Sequence, residues 1–93
     1  MKVVLQLGRV FAKEAGFSKR ELEVPGVASA ATLLEVIARE APGLSCLDGQ
    51  GRAVDLGAAN LSVAGKPVDP RHPERSPLKA GDACYLYGVM SGG

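Results

Sequence analysis

Few residues in this chain can do chemistry, and the most distinctive arrangement stands at its end: Cys84-Tyr85-Leu86-Tyr87-Gly88-Val89-Met90-Ser91-Gly92-Gly93. Cys84 to Tyr87 has the apolar, aromatic character of a strand. A glycine pair within a chain marks a turn; here no returning strand follows it. The expectation is an unbranched arm whose last group is an α-carboxylate. Without Cβ atoms, Gly92 and Gly93 suit a narrow channel, and Met90 to Gly93 span roughly 13 Å when extended. Such an arm can deliver the Gly93 carboxylate into another protein's active site. The ordinary alternative is a frayed terminus.

The other reactive groups are scattered. Cys46 and Cys84 have no CxxC or other ligand spacing, and His72 is near neither in sequence. A metal site is not expected; buried, weakly polar thiols are. Asp48-Gly49-Gln50-Gly51 has the glycines of a phosphate loop but lacks the Lys-Ser/Thr ending and the following helix. His72 lies in a charged loop punctuated by Pro67, Pro70, Pro73 and Pro77, where a solvated side chain is the ordinary outcome. With no clustered acid, base or nucleophile, the chain does not read as an enzyme.

Composition sets the frame. Ninety-three residues make one domain, 1–93, with 90–93 as a flexible C-terminal tail. A 46% hydrophobic content without tryptophan allows a modest core. A net charge of +1, with acids and bases interspersed, offers no footprint for nucleic acid. No apolar run approaches the ~20 residues of a membrane span. The Val3-Val4-Leu5 run after Lys2 is too short for a signal-peptide core, so the cytoplasm is the expected compartment.

Seven stretches must position these groups. Lys2 to Leu7 reads as a strand with Val3, Leu5 and Leu7 on one face and Lys2, Val4 and Gln6 on the other. Arg9 to Lys19 reads as a connector, with Phe11 and Phe17 as core plugs. Arg20 to Pro25 alternates cleanly, Leu22 and Val24 inward and Glu21 and Glu23 outward, and should form an antiparallel hairpin with the first strand. Ala30 to Ala41 is the one helix: Ser29 can cap it, or Thr32 with Glu35 can form a capping box and start it later. Leu33, Leu34, Ile37, Ala38 and Ala41 make its apolar stripe, Glu35 and Arg39 an i,i+4 pair, and Pro42-Gly43 its stop. Residues 44 to 59 are loop-rich, with short strands admissible near Cys46-Leu47 or Ala53 to Leu56. Asn60 to Ala64 is a strand, Gly65-Lys66 a turn, and Pro67-Val68 its continuation. Leu78 to Asp82 turns tightly into the last strand, Ala83 to Val89. One helix on a four- or five-stranded sheet is an α+β roll. The last strand should be central and buried on both faces, since Cys84, Tyr85 and Leu86 occupy both.

This order, with a final strand running into Gly-Gly, resembles the ubiquitin-like β-grasp sulfur carriers of the MoaD/ThiS family, which includes the small subunit of molybdopterin synthase. Lys2 to Leu7 is similar to the family's opening strand, and Ser29 to Leu44 to its capped helix and exit. Val63-Ala64-Gly65-Lys66-Pro67-Val68 resembles its V-N-G-x-x-V strand and turn. Leu78-Lys79-Ala80-Gly81-Asp82 resembles its L-x-x-G-D turn, and Ser91-Gly92-Gly93 its ending. Two departures stand out. Gly88-Val89 replaces the pair of prolines frequent before the tail, and Ala64 replaces the turn asparagine.

The resemblance implies a mixed sheet on one main helix and a protein that catalyses nothing itself. An E1-like adenylyltransferase of the MoeB/ThiF type would adenylate the Gly93 carboxylate with ATP; no cofactor is implied for this chain. A neutral-pH carboxylate, with a pKa near ~3.5, is anionic and a poor electrophile, which is why activation is needed. A persulfide or sulfide would then displace AMP and leave a thiocarboxylate. Its sulfur would pass to the large subunit of molybdopterin synthase, or to another acceptor in thiamine, tRNA or cysteine chemistry. Gly92 is implied to be thin for the partner's tunnel. Val89, Met90 and Ser91 would meet its mouth, and Tyr85 and Tyr87 would anchor the interface if they face outward. A β-grasp binding module with an incidental Gly-Gly, and a modifier conjugated to lysines, are the other readings.

Overall fold

Alternation of apolar and polar residues at Lys2–Leu7 makes the first strand, β1, whose Val3, Leu5 and Leu7 are buried. The computed structural model describes residues 1–88; Val89, Met90, Ser91, Gly92 and Gly93 lie outside the described residues. After β1 come α1 (Arg9–Ala15), β2 (Lys19–Glu23), α2 (Ala30–Glu40), β3 (Ala59–Val63), β4 (Lys66–Pro67), a 3-10 turn (Pro73–Arg75) and β5 (Ala83–Gly88). The sheet order is β2-β1-β5-β3-β4. β1 and β5 run parallel; the other neighbours are antiparallel. The expected β1–β2 hairpin and the central place of the last strand are both present.

The parallel register sets Leu5 beside Cys84 and Leu7 beside Leu86, while Leu86 faces Leu61 on β3. These inward residues join Leu33, Leu34, Val36 and Ile37 of α2 in one apolar cluster. Leu33 and Ile37 are fully buried, each contributing about 1.5–3 kcal/mol by leaving water. The helix stripe expected from Leu33, Leu34, Ile37, Ala38 and Ala41 is buried throughout. Arg20, at the end of β2, lies 3.9 Å from the Phe17 ring centroid and 3.8 Å from the Glu40 carboxylate.

Several expectations are corrected. The connector after β1 contains a helix, α1, rather than loop alone. Phe11 is buried as expected, but Phe17 is only partly so. The last strand is not buried on both faces: its neighbours leave the side bearing Tyr85 open, and that ring is 40% exposed. Ser29 occupies the N-cap position of α2 without a side-chain hydrogen bond, so the helix starts at Ala30 and not at a later capping box. Glu35 and Arg39 form no ion pair among the described residues. Between Cys46 and Leu56 there is a single bridge, Leu47 to Val54, rather than a strand.

Candidate partner-docking face and chain exit

β5 is hydrogen-bonded on both sides, so its residues are placed by two registers at once. Cys84 and Leu86 point into the core; Ala83, Tyr85 and Tyr87 point to the open face. The same registers bring Val4 and Gln6 of β1 and Asn60 and Ser62 of β3 beside them. The Tyr85 and Tyr87 rings stack with centroids 5.0 Å apart and 20° between planes. Neither hydroxyl makes a hydrogen bond among the described residues. A rigid ring with a free polar tip covers apolar surface and still offers a donor.

Beside Tyr85 lies a shallow depression of about 500 Å³, lined mainly by Val4, Gln6, Lys19, Ser62, Ala83 and Tyr85. Polar residues rim it on β2, where Lys19 pairs with Gln6 and Glu21 with Val4. An apolar floor with a charged margin is the composition of a protein-docking surface.

The end of β5 is held from both flanks. Gly88 is in register with Ala59, and its carbonyl accepts from Asn60 Nδ2 at 3.4 Å. On the other side the Gly8 N–H donates to the Leu86 carbonyl at 2.7 Å. A Cβ on Gly8 would stand 3.3 Å from Tyr87 Cα, so glycine lets the start of α1 close against the strand. Gly88 therefore stands at a fixed point at the middle of the sheet.

The remaining reactive groups sit elsewhere. Burial pushes the Cys84 thiol from an ordinary 9.0 to about 11, with the nearby Asp82 charge adding to it. Burial also raises Cys46, helped by the Glu14 and Asp55 charges. Both are free and buried. Asp48 is consumed by its own loop: its Oδ1 accepts from Gln50 and Arg52 N–H groups at 2.9 and 3.0 Å, holding the carboxyl below its usual range. His72 Nδ1 lies 3.2 Å from Glu74, exposed and far in sequence from the thiols. Among the described residues no three His, Cys, Asp or Glu side chains gather as a metal site, and no helix is long and apolar enough to cross a membrane.

The structure thus places Tyr85 and Tyr87 together on one open face. Gly92, Gly93, Val89, Met90 and Ser91 lie outside the described residues. Sequence reasoning missed Gly8, Asn60, Ser62 and Ala83. Period-two alternation puts Val4 and Gln6 on the outer face of β1, but only strand order shows what they stand beside.

No family model matches the chain, and no curated protein does. Solved structures do. Small archaeal modifier protein 1 from Haloferax volcanii superposes with a TM-score of 0.79 at 22% identity, covering 100% of each chain. A protein assigned as molybdopterin converting factor, subunit 1, from Pyrococcus furiosus gives 0.72 at 23% identity, over 97% of this chain and 99% of that one. Small archaeal modifier protein 1 from Methanosarcina acetivorans gives 0.73 at 18%, over 99% and 96%. A five-stranded mixed sheet around a central parallel pair, packed on one main helix and matched end to end by these structures, is the ubiquitin-like β-grasp fold.

Proposed function

We propose that this chain is a sulfur carrier: Gly93 is adenylated by an E1-like partner and converted to a thiocarboxylate that donates sulfur, with the small-subunit role in molybdopterin synthase as the leading assignment. The observation that carries the reading is the run of the central strand β5, anchored on both flanks to Gly88, into a Gly-Gly ending. In this scheme ATP transfers AMP to the Gly93 carboxylate and releases pyrophosphate. Sulfide displaces AMP directly; a persulfide displaces it as an acyl disulfide, which a thiol then cleaves to the thiocarboxylate. Gly92 keeps the arm thin, and Val89, Met90 and Ser91 line its path into the partner. Tyr85 and Tyr87 anchor the docking face, with Val4 and Ala83 as its apolar floor.

Two features of the body support a role for the terminus rather than a side chain. The only thiols are buried and hard to ionise, so neither suits carriage of transferable sulfur. The open sheet face lies on the strand that leads to the arm, so one partner can hold the face and receive the tail. The test is intact-mass measurement after incubation with a candidate activating enzyme, ATP and a sulfur donor. The expected result is one sulfur in place of one oxygen. An unchanged mass with an enzyme shown to be active on another carrier overturns the reading.

A modifier role is the second reading, favoured by likeness to two small archaeal modifier proteins. It uses the same activation but ends in isopeptide bonds to lysine, which tryptic mass spectrometry of cell extracts would reveal as lysines carrying the Ala80 to Gly93 remnant, since Lys79 is the last tryptic site. A carrier for a different acceptor gives the thiocarboxylate without those adducts.

A further inference from the structure

At the opposite end of β5 from Gly88, the β3–β4 hairpin and the segment leading into β5 enclose an open cleft of about 420 Å³. Three cations line it, from three separate places in the fold. Lys66 comes from β4, Arg75 from the 3-10 turn and Lys79 from the turn before β5. All three are exposed, and none is in an ion pair among the described residues. The one acidic residue in the lining, Asp82, already spends an oxygen capping its own turn, accepting from the Lys79 N–H at 2.8 Å. Nearby Glu74 is turned to His72. The cleft therefore carries three positive charges against one negative in a chain whose net charge is only +1.

We propose that this cleft docks an acidic segment of a partner protein, independently of the Gly-Gly arm. Charge complementarity selects the class of partner. The cations stand on long stems around an open cleft, which suits several carboxylates spaced along an extended segment. A single compact anion would need donors held rigidly in place. Pro67 and Pro77 form apolar walls and have no N–H to offer, so recognition here runs through side-chain charge rather than added strand pairing. β5 spans roughly 17–20 Å between this cleft and the exit. A segment bound here leaves the open face and the arm free, and gives a partner a second point of attachment.

The test is an NMR titration of the full chain with an N-acetylated hexaglutamate peptide at low salt, using inorganic phosphate and a hexalysine peptide as comparators. The expected result is saturable amide shifts confined to residues 64–66, 75, 76, 78, 79 and 82. They should weaken steeply in about 0.3 M salt, where charges are screened within several ångströms. Each of Lys66→Ala, Arg75→Gln and Lys79→Ala should weaken binding roughly two- to fivefold, and the triple variant should abolish it. The single variants keep the test decisive if the triple variant loses its folded spectrum. Absence of shifts, shifts centred on Tyr85 or elsewhere, undiminished affinity in all three single variants, or equal response to phosphate would each overturn the proposal. None of these readouts depends on activation of Gly93, so failure here is separate from failure of the carrier reading.

Discussion

Ala64 holds a φ of 51° and Gly65 one of 81°, because a two-residue loop between paired Val63 and Lys66 must turn with both central residues left-handed. Glycine does this freely; an alanine pays roughly 1 kcal/mol for it. Ala64→Asn or Ala64→Gly should therefore raise stability by about 0.5–1 kcal/mol, read as a higher urea midpoint with unchanged slope. A lower midpoint would contradict the turn geometry. Cys84 is the residue-scale case for reactivity. A thiol raised from 9.0 to about 11 has about a hundredth of the usual thiolate at neutral pH. Alkylation by iodoacetamide at pH 8 should be at least that much slower in the folded protein than in denaturant. The folded state also keeps this proton where the unfolded chain has released it. Stability should thus fall as pH rises from about 9 to 11, and Cys84→Ala should flatten that fall. At Gly93, adding one residue should abolish adenylation by an activating enzyme while leaving the amide spectrum of the body unchanged; wild-type sulfur loading of the extended chain would count against the carrier reading.

At the scale of elements, α2 was legible because its apolar residues recur at helical spacing over eleven residues and stop at Pro42-Gly43. Ile37→Ala should cost about 2–5 kcal/mol, since the side chain is fully buried and the cavity cannot collapse freely. Tyr85→Ala, on the open face, should cost less than about 1 kcal/mol in stability but weaken binding of an activating partner by tenfold or more; equal partner affinity would remove Tyr85 from the interface. α1 was not legible. Seven residues are too few to hold a helix by propensity, and it offers one buried residue, Phe11. Packing on β1 and β5 and the left-handed Gly16 cap make it helical. The sheet edges are guarded by sequence as well: β2 is Lys-Arg-Glu-Leu-Glu, and β4 is two residues with a proline, so neither invites another strand.

For the molecule as a whole, one cluster joins the inward faces of β1, β2, β3 and β5 with α2. Unfolding in urea should therefore be a single transition, with tyrosine fluorescence and far-UV ellipticity coinciding. Separated curves would show that the β3–β4 region or α1 melts apart from the rest. The sequence alone determined α2, the strands β1, β2, β3 and β5, most of their inward residues and the Gly-Gly ending, because those depend on local periodicity and on residue chemistry. It also put Tyr85 and Tyr87 on one side of one strand. It did not determine that this side is open. Apolar and aromatic residues on both faces of β5 read as two-sided burial, but an isolated strand carries no record of which layer lies over it. Only tertiary structure decided that α2 covers the Cys84 and Leu86 face and leaves the tyrosines out, and that Lys66, Arg75 and Lys79 meet around one cleft. Those placements come from pairings between residues far apart in the chain, where no local preference reaches.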